Sequence, residues 1–239
     1  MLISLLLGAF AGIADIFGGL ILVRRDWPRH YLRYFIALGA GFMMAVAVLD
    51  MIPGSLKFNQ TWALPLVLAG YCIIHLLEHT ITPHFHVGEE THAEEFIHRH
   101  TGYSVLLGLS VHSFFDGVAI GSGFALSSAL GWLIFLAIFL HKIPEGFTIA
   151  SVTLASGRSR RAAIISAVVL AGATIGGVLI IGLLPSWVAA GLPLSAGVAI
   201  YVAATDLLPE TNREPGIRMA LIFFLGVGVF LLIRMLAPV

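Results

Sequence analysis

The stretch GWLIFLAIFLHKIPEGFTIASV, residues 131–152, combines a membrane-spanning composition with residues that are rare in membranes. It is long enough to cross a bilayer as a helix, since about 20 predominantly apolar residues suffice. Yet His141, Lys142, Pro144 and Glu145 interrupt it in close succession. Charged groups in hydrocarbon and a proline inside a helix each cost free energy. The stretch therefore predicts a membrane helix whose polar residues are compensated by other parts of the protein.

The composition of the whole chain indicates an integral membrane protein. Of its 239 residues, 59% are hydrophobic and 11% are charged, against about 25% charged in a typical soluble domain. The formal net charge is zero, so no bulk attraction to nucleic acid is expected. Cys72 is the single cysteine, which excludes a disulfide framework and a thiolate metal cluster. Residues 1–23 lack the basic leading region of a cleavable signal and are interpreted as the first span.

The apolar segments predict an all-α polytopic membrane protein with eight transmembrane helices, since they are far longer than the strands of a membrane barrel. The predicted spans are residues 2–23, 34–55, 62–82, 102–126, 130–155, 162–184, 191–210 and 217–236. The predicted connections are short except for the polar stretch 83–101, which is rich in His and Glu.

Orientation follows from the positions of Lys and Arg, which favour cytoplasmic loops. The even-numbered loops hold only Lys57. The odd-numbered loops hold Arg24, Arg25, Arg29, Arg33, Arg99, Arg158, Arg160, Arg161, Arg213 and Arg218. The odd loops, including the His-rich stretch 83–101, are therefore predicted to be cytoplasmic, with both termini on the extracellular or periplasmic side.

Two spans share a pattern that indicates an internal repeat. The second contains GAGFMMAVAVLDMIPGS (residues 39–55) and the seventh contains SAGVAIYVAATDLLPET (residues 195–211). In both spans, small residues are followed by an aliphatic stretch and then by Asp-x-x-Pro. The loop count makes these spans run in opposite directions, as in the inverted repeats of transporters.

Two consecutive spans each carry a histidine and a carboxylate four residues apart: His112 with Asp116, and His141 with Glu145. Residues at i and i+4 lie on one face of a helix. If the two faces meet, two imidazoles and two carboxylates surround one point. This donor set suits zinc and also iron, manganese, cobalt or cadmium. The alternative is that these side chains only form hydrogen bonds between helices.

The motifs HSFFDGVAIG (residues 112–121) and HKIPEGFTIAS (residues 141–151) resemble the fourth- and fifth-span signatures of the ZIP (Zrt/Irt-like) family of divalent metal transporters. The resemblance covers nearly the whole chain. It implies import of zinc or related ions into the cytoplasm, a 3+2+3 arrangement of spans with inverted repeats, elevator-type alternating access and a homodimer. The corresponding location is the plasma (inner) membrane.

The resemblance also implies a transport site made of His112, Asp116, His141 and Glu145. A methionine on the second span contributes in some members, and Met43 or Met44 is the candidate here, with Met44 taken as the tentative choice.

The chain departs from the members of the family that hold two metal ions. Ser113 replaces an asparagine, Lys142 replaces an acidic residue, and Ala173 falls near the acidic position of the sixth span. We therefore expect a single-metal site in which Lys142 acts as a counter-ion and repels a second cation. The alternative is that the Lys142 ammonium reaches an aqueous interface.

Further polar residues are candidates for the transport pathway, and helix capping or a solvated loop is the alternative explanation for each. The candidates are Asp50, Asp206, His75, His79, His84 and His86. Asp15, in the first span, has no partner that the sequence identifies.

Two other functions compete with metal import. An intramembrane zinc hydrolase needs a metal-bound water and a general base, but the chain has no HExxH motif. A proton-coupled cation antiporter would use Asp116 and Glu145 without a transition metal. The sequence favours a transporter that is not an enzyme.

Overall fold

The computed structural model describes residues 1–24, 29–80, 99–209 and 217–236. These residues form helices and short connections, with no strand in the described ranges. Within these ranges, eight helices are long and apolar enough to cross a membrane, as the sequence predicts. The helices, in chain order, are Leu2–Arg24, Arg29–Val46 continued by Ala47–Met51 and Ile52–Phe58, Ala63–Thr80, Arg99–Leu126, Ser128–Ala155, Arg160–Leu183, Pro185–Trp187 with Val188–Tyr201 and Val202–Leu207, and Ile217–Leu236. They are called the first to eighth spans below.

The fifth span lies at the centre of the protein and the third and eighth lie at its edge. In the fifth, 78% of the most apolar window is buried, against 17% in the third and in the eighth. Pro144 lies inside the continuous fifth helix and does not end it. The Ser127 side chain caps the start of this helix by accepting a hydrogen bond from the Leu130 backbone N–H.

The second and seventh spans each change from α-helix to π-helix at the aspartate of the repeated pattern. Asp50 lies in the π-helical segment Ala47–Met51, and Asp206 lies in Val202–Leu207. A proline follows each aspartate three residues later. Such π-helical turns are rare and frequently mark functional sites. The two sequence repeats therefore share a local backbone feature as well as residues.

Glycines bring four pairs of spans into backbone contact. At the crossing of the first and fifth spans, a Cβ on Gly146 would lie 1.9 Å from the Asp15 carbonyl oxygen. A Cβ on Gly18 would lie 2.1 Å from the Ile143 carbonyl oxygen. Each glycine thus faces the backbone of the other helix, as small residues do where membrane helices pack closely.

The same reciprocal arrangement occurs at three other crossings. The pairs are Gly117 with Gly177 between the fourth and sixth spans, Gly41 with Gly226 between the second and eighth, and Gly70 with Gly197 between the third and seventh. At each of these glycines a Cβ would lie between 1.9 and 2.2 Å from a backbone oxygen of the opposing helix. These crossings leave no room for a side chain, so they fix the distance between the two helices.

Residues 81–98 lie outside the described residues. They contain most of the predicted cytoplasmic loop, including His84 and His86. The orientation of the chain in the membrane stays a prediction.

We expect Gly197→Ala to destabilise the protein, because the new methyl group would meet the Val67 carbonyl oxygen at 1.9 Å. Overpacking of this kind costs roughly 1–3 kcal/mol. Gly228→Ala is the matched control, since nothing lies within 4 Å of its Cβ position. Thermal unfolding in detergent should show a lower midpoint for Gly197→Ala alone. Equal midpoints for both variants would contradict the close crossing.

Candidate metal centre

The fourth and fifth spans bring together the four side chains that the motifs single out. His112, Asp116, His141 and Glu145 are all buried, and one ligand atom from each lies within 4.8 Å of the others. Each helix supplies one imidazole and one carboxylate from adjacent turns of the same face. The i, i+4 spacing predicts the shared face of each pair, and the structure shows that the two faces meet.

The atoms that converge are the Nε2 atoms of both histidines and one oxygen of each carboxylate. Asp116 Oδ2 lies 3.2 Å from His141 Nε2 and 3.4 Å from His112 Nε2. Glu145 Oε2 lies 3.9 Å from His112 Nε2 and 4.0 Å from His141 Nε2. Two nitrogen and two oxygen donors thus surround one point, a donor set that fits zinc and other divalent transition metals.

The two imidazoles differ in how they are held. His141 Nδ1 lies 3.0 Å from the Ala137 carbonyl oxygen. Because a carbonyl oxygen only accepts hydrogen bonds, Nδ1 is the donor in this contact. A neutral His141 ring therefore presents the lone pair of Nε2 to the cluster, as metal-ligating histidines do. His112 Nδ1 has no hydrogen-bond partner among the described residues.

Lys142 lies inside the cluster and does not reach an aqueous interface, since its side chain is 0% exposed. Its Nζ lies 2.7 Å from Glu145 Oε2, 3.0 Å from Asp116 Oδ2 and 2.9 Å from Ser113 Oγ. The Ser113 hydroxyl also donates a hydrogen bond to Glu145 Oε1. The snorkelling alternative for Lys142 is therefore wrong, and the ammonium contacts both carboxylates directly.

Asp15 is the residue of this cluster that the sequence does not place. It is 0% exposed, and its Oδ2 lies 3.5 Å from Lys142 Nζ. The first span carries Asp15 to the fifth span at the crossing formed by Gly146 and Gly18. An acidic residue inside an apolar first span is a signal for a buried partner, but the partner lies more than 120 residues away in the sequence.

A small cavity beside Asp116 is lined by Met43, and also by Met51, but not by Met44, which favours Met43 over Met44 as the candidate methionine. Met43 lines this cavity together with Asp116, Ala137 and Ser195, whereas Met44 is not among its lining residues. Met44 is partly buried and packs against the apolar core. One position along a helix turns a side chain by about 100°, which separates the two methionines.

Asp50 forms an ion pair between two spans. Its Oδ1 lies 2.9 Å from Arg234 Nε, so the ion pair joins the second and eighth spans. Since Asp50 lies within a continuous helical span, it does not cap a helix end.

Asp206, His75 and His79 lie near a group of aromatic and acidic side chains. Tyr201, on the seventh span, donates a hydrogen bond to Glu78 Oε2 at 2.9 Å. The His75 ring lies 5.8 Å from the Tyr201 ring and 3.9 Å from the His79 ring. Asp206 Oδ1 accepts a hydrogen bond from Thr205 Oγ1 at 3.1 Å.

The fold and the cluster together define a multi-pass membrane protein with a buried divalent-metal donor set. The family model described as ZIP zinc transporter matches residues 88–234, more than half of the chain. The chain therefore belongs to the ZIP zinc transporter family, a family of transporters and not of enzymes, which confirms the family resemblance.

Relatives found by sequence similarity are named zinc transporters. The human zinc transporter SLC39A7 is 31% identical over 151 residues, which cover 56% of this chain and 32% of the relative. The Caenorhabditis briggsae zinc transporter zipt-7.1 is 28% identical over 244 residues, covering 75% of this chain and 62% of the relative. The human zinc transporter ZIP4 is 32% identical over 126 residues, covering 52% and 20%. The chain thus spans only part of the length of each.

We expect Ser113→Ala to weaken zinc binding, because the hydroxyl links Lys142 to Glu145. Groups that orient metal ligands contribute about 10-fold or more to affinity. Ser110→Ala is the control, since the Ser110 hydroxyl donates to the Leu106 carbonyl oxygen one turn earlier in the same helix. Isothermal titration of both purified variants measures the difference. Equal affinities would show that the Ser113 hydroxyl does not orient Glu145.

Proposed function

We propose that this protein carries divalent transition-metal ions, zinc foremost, across a membrane into the cytoplasm. His112, Asp116, His141 and Glu145 form the transport site. The observation that carries the proposal is the convergence of their four ligand atoms within 4.8 Å in the buried core. Iron, manganese, cobalt and cadmium fit the same donors, since the order of affinities alone does not select among them.

The site is proposed to hold one ion at a time. The family resemblance implies that Lys142 replaces an acidic ligand of the second ion, and its Nζ lies 2.7 and 3.0 Å from the carboxylates. Its positive charge repels another cation at that position. Ser113 offers a hydroxyl there in place of a stronger ligand.

Elevator-type movement is proposed from the distribution of the close crossings. They join the first span to the fifth, the fourth to the sixth, the second to the eighth and the third to the seventh. The first and sixth spans also pack together through Gly12 and Ala171. This pattern favours one rigid group made of the first, fourth, fifth and sixth spans, which carries the site, and another made of the remaining four.

Among the described residues, the contacts between these two groups include no reciprocal glycine crossing, which favours sliding. They include the small cavity lined by Met43 and Asp116, and a hydrogen bond from Ser195 Oγ to the Phe115 carbonyl oxygen at 2.9 Å. Small movements of packed helices past each other are a common mode of domain motion.

The helix pairs also support a 3+2+3 arrangement with inverted repeats. Suppose that the first, second and third spans are exchanged with the sixth, seventh and eighth, and the fourth with the fifth. Each pair of spans that forms a close glycine crossing then becomes another such pair. The π-helical segments at Asp50 and Asp206 lie in the second and seventh spans, which the same exchange relates. Both termini on the outer side, a homodimer and the plasma membrane belong to this proposal through the family resemblance and the arginine distribution.

The pathway on either side of the site is proposed to include the polar residues at the two ends of the spans. Asp50 belongs to the outer side and Met43 borders the site itself. The candidates for the cytoplasmic side are Asp206, His75, His79, His84 and His86. A cation passing Asp50 would compete with Arg234 for its oxygens.

Uptake in proteoliposomes tests the function directly. We expect the wild-type protein to take up zinc, and His141→Ala and Glu145→Ala to fall to the background of empty liposomes, because each loses a ligand. Ser110→Ala should keep uptake. Unchanged uptake in both ligand variants would contradict the site. Sodium or proton flux without any transition metal would favour the antiporter instead.

Lys142→Gln tests the single-ion site while keeping groups that can hydrogen-bond to Ser113 and Glu145. We expect one zinc ion at the centre of the wild-type protein. In the variant, zinc should bind more tightly or two ions should bind, because the carboxylates lose their ammonium. Metal content per chain and titration measure this. Two ions in the wild-type centre, or unchanged binding and transport in the variant, would contradict the proposal.

A further inference from the structure

Asp15 is a buried carboxylate that the four-ligand site does not use. Its side chain is 0% exposed, and neither of its oxygens has a hydrogen-bond partner among the described residues. The nearby charge of opposite sign is Lys142 Nζ, 3.5 Å from Asp15 Oδ2. Burying a carboxylate without hydrogen bonds is costly. Its place beside an ammonium therefore points to a role in the charge balance of the site.

Lys142 and a transported cation need the same oxygen atoms. The ammonium contacts Asp116 Oδ2 and Glu145 Oε2. These two oxygens are also the ones that lie 3.2 to 4.0 Å from the Nε2 atoms of the histidines. A cation held between the imidazoles would take both oxygens and repel the ammonium. Lys142 must then find another partner, because an unpaired buried charge is strongly destabilising.

Asp15 offers that partner at a short distance. A charge-assisted hydrogen bond between an ammonium and a carboxylate is about 2.8 Å long, so Lys142 Nζ has to approach Asp15 by less than about 1 Å. The lysine side chain has a flexible four-carbon stem that permits this movement by rotation of its terminal bonds. No movement of the backbone is required.

We propose that Asp15 receives the Lys142 ammonium when a divalent cation takes the oxygens of Asp116 and Glu145. The inference rests on the proposed function of the site and extends it to a residue of the first span. Asp15 is a positioning residue, since it acts on the cation through Lys142 and not by direct contact.

The charges of the cluster match this exchange. Counted in their ionised forms with neutral imidazoles, three carboxylates and one ammonium carry a net charge of two minus. One divalent cation brings the total to zero, with Lys142 balanced by Asp15 and the cation balanced by Asp116 and Glu145. A monovalent cation leaves one negative charge uncompensated in the membrane core, which is unfavourable. Asp15 thereby sets the charge of the ion that the site accepts.

The crossing of the first and fifth spans keeps Asp15 with Lys142. Gly146 contacts the Asp15 backbone itself, and Gly18 contacts Ile143, the residue after Lys142. Any movement that carries the fifth span across the membrane therefore carries Asp15 too. The alternative partner is available to the lysine throughout the transport cycle.

Zinc titration of charge variants tests the exchange. The purified full chain is compared with Asp15→Asn, Lys142→Gln and the double variant by isothermal titration. We expect Asp15→Asn to lower the affinity at least about fivefold, the lower range of typical coupling between sites. The double variant should bind about as tightly as Lys142→Gln alone, because Asp15 has no effect once no displaced ammonium needs a partner. Thr148→Val, which alters another buried side chain whose hydroxyl has no hydrogen-bond partner, should not change the affinity.

Two further measurements separate the exchange from a merely structural role. Thermal unfolding without zinc should show that Asp15→Asn folds, since Lys142 keeps Asp116 and Glu145 as partners. A zinc-bound structure should place Lys142 Nζ closer to Asp15 than to Glu145. An Asp15→Asn variant with wild-type affinity, or a lysine still on Glu145 in the zinc-bound structure, would overturn the inference.

The same experiment distinguishes failure of the inference from failure of the proposed function. If the wild-type protein binds zinc, His141→Ala weakens it and Asp15→Asn does not, only the role of Asp15 is wrong. If the wild-type protein binds no zinc, or His141→Ala binds it equally well, the transport site is wrong and the inference fails with it.

Discussion

The structure depends on balancing carboxylate charge inside a membrane. Asp15, Asp116 and Glu145 are buried together, and a lone carboxylate at that depth is strongly unfavourable. The Lys142 ammonium, within 3.5 Å of all three, supplies the permanent part of the compensation. The two imidazoles supply neutral donors that a divalent cation can use. The residues that destabilise the fifth span as an isolated helix are therefore compensated by one another within the protein.

Glycine crossings make this cluster possible. Three spans supply its charged groups, and their backbones have to approach closely for short side chains such as those of Asp15 and Ser113 to reach Lys142. Gly146 and Gly18 provide that approach on one side, and Gly117 and Gly177 hold the fourth span against the sixth on the other. Since membrane helices gain little from the hydrophobic effect between themselves, such backbone contacts contribute much of the association. The charged cluster and the packing of the spans that supply it thus depend on the same glycines.

The two repeats are alike in backbone and different in charge. Asp50 and Asp206 occupy matching π-helical segments. Asp50 is paired with Arg234 on the eighth span, whereas the seventh span near Asp206 contacts the acidic Glu78 of the third span through Tyr201. The two π-helical segments therefore have different neighbours, an arginine beside Asp50 and a tyrosine bonded to a glutamate near Asp206.

The sequence by itself determined what depends on neighbours along one helix. The eight spans follow from apolar length, and the pairing of His112 with Asp116 and of His141 with Glu145 follows from 3.6 residues per turn. Contacts between helices were decided only by the tertiary structure. Asp15 beside Lys142, Arg234 beside Asp50 and Met43 in place of Met44 at the cavity all depend on the rotation and crossing of spans far apart in the chain. Periodicity fixes the face on which a residue lies, but it does not fix which other helix that face meets.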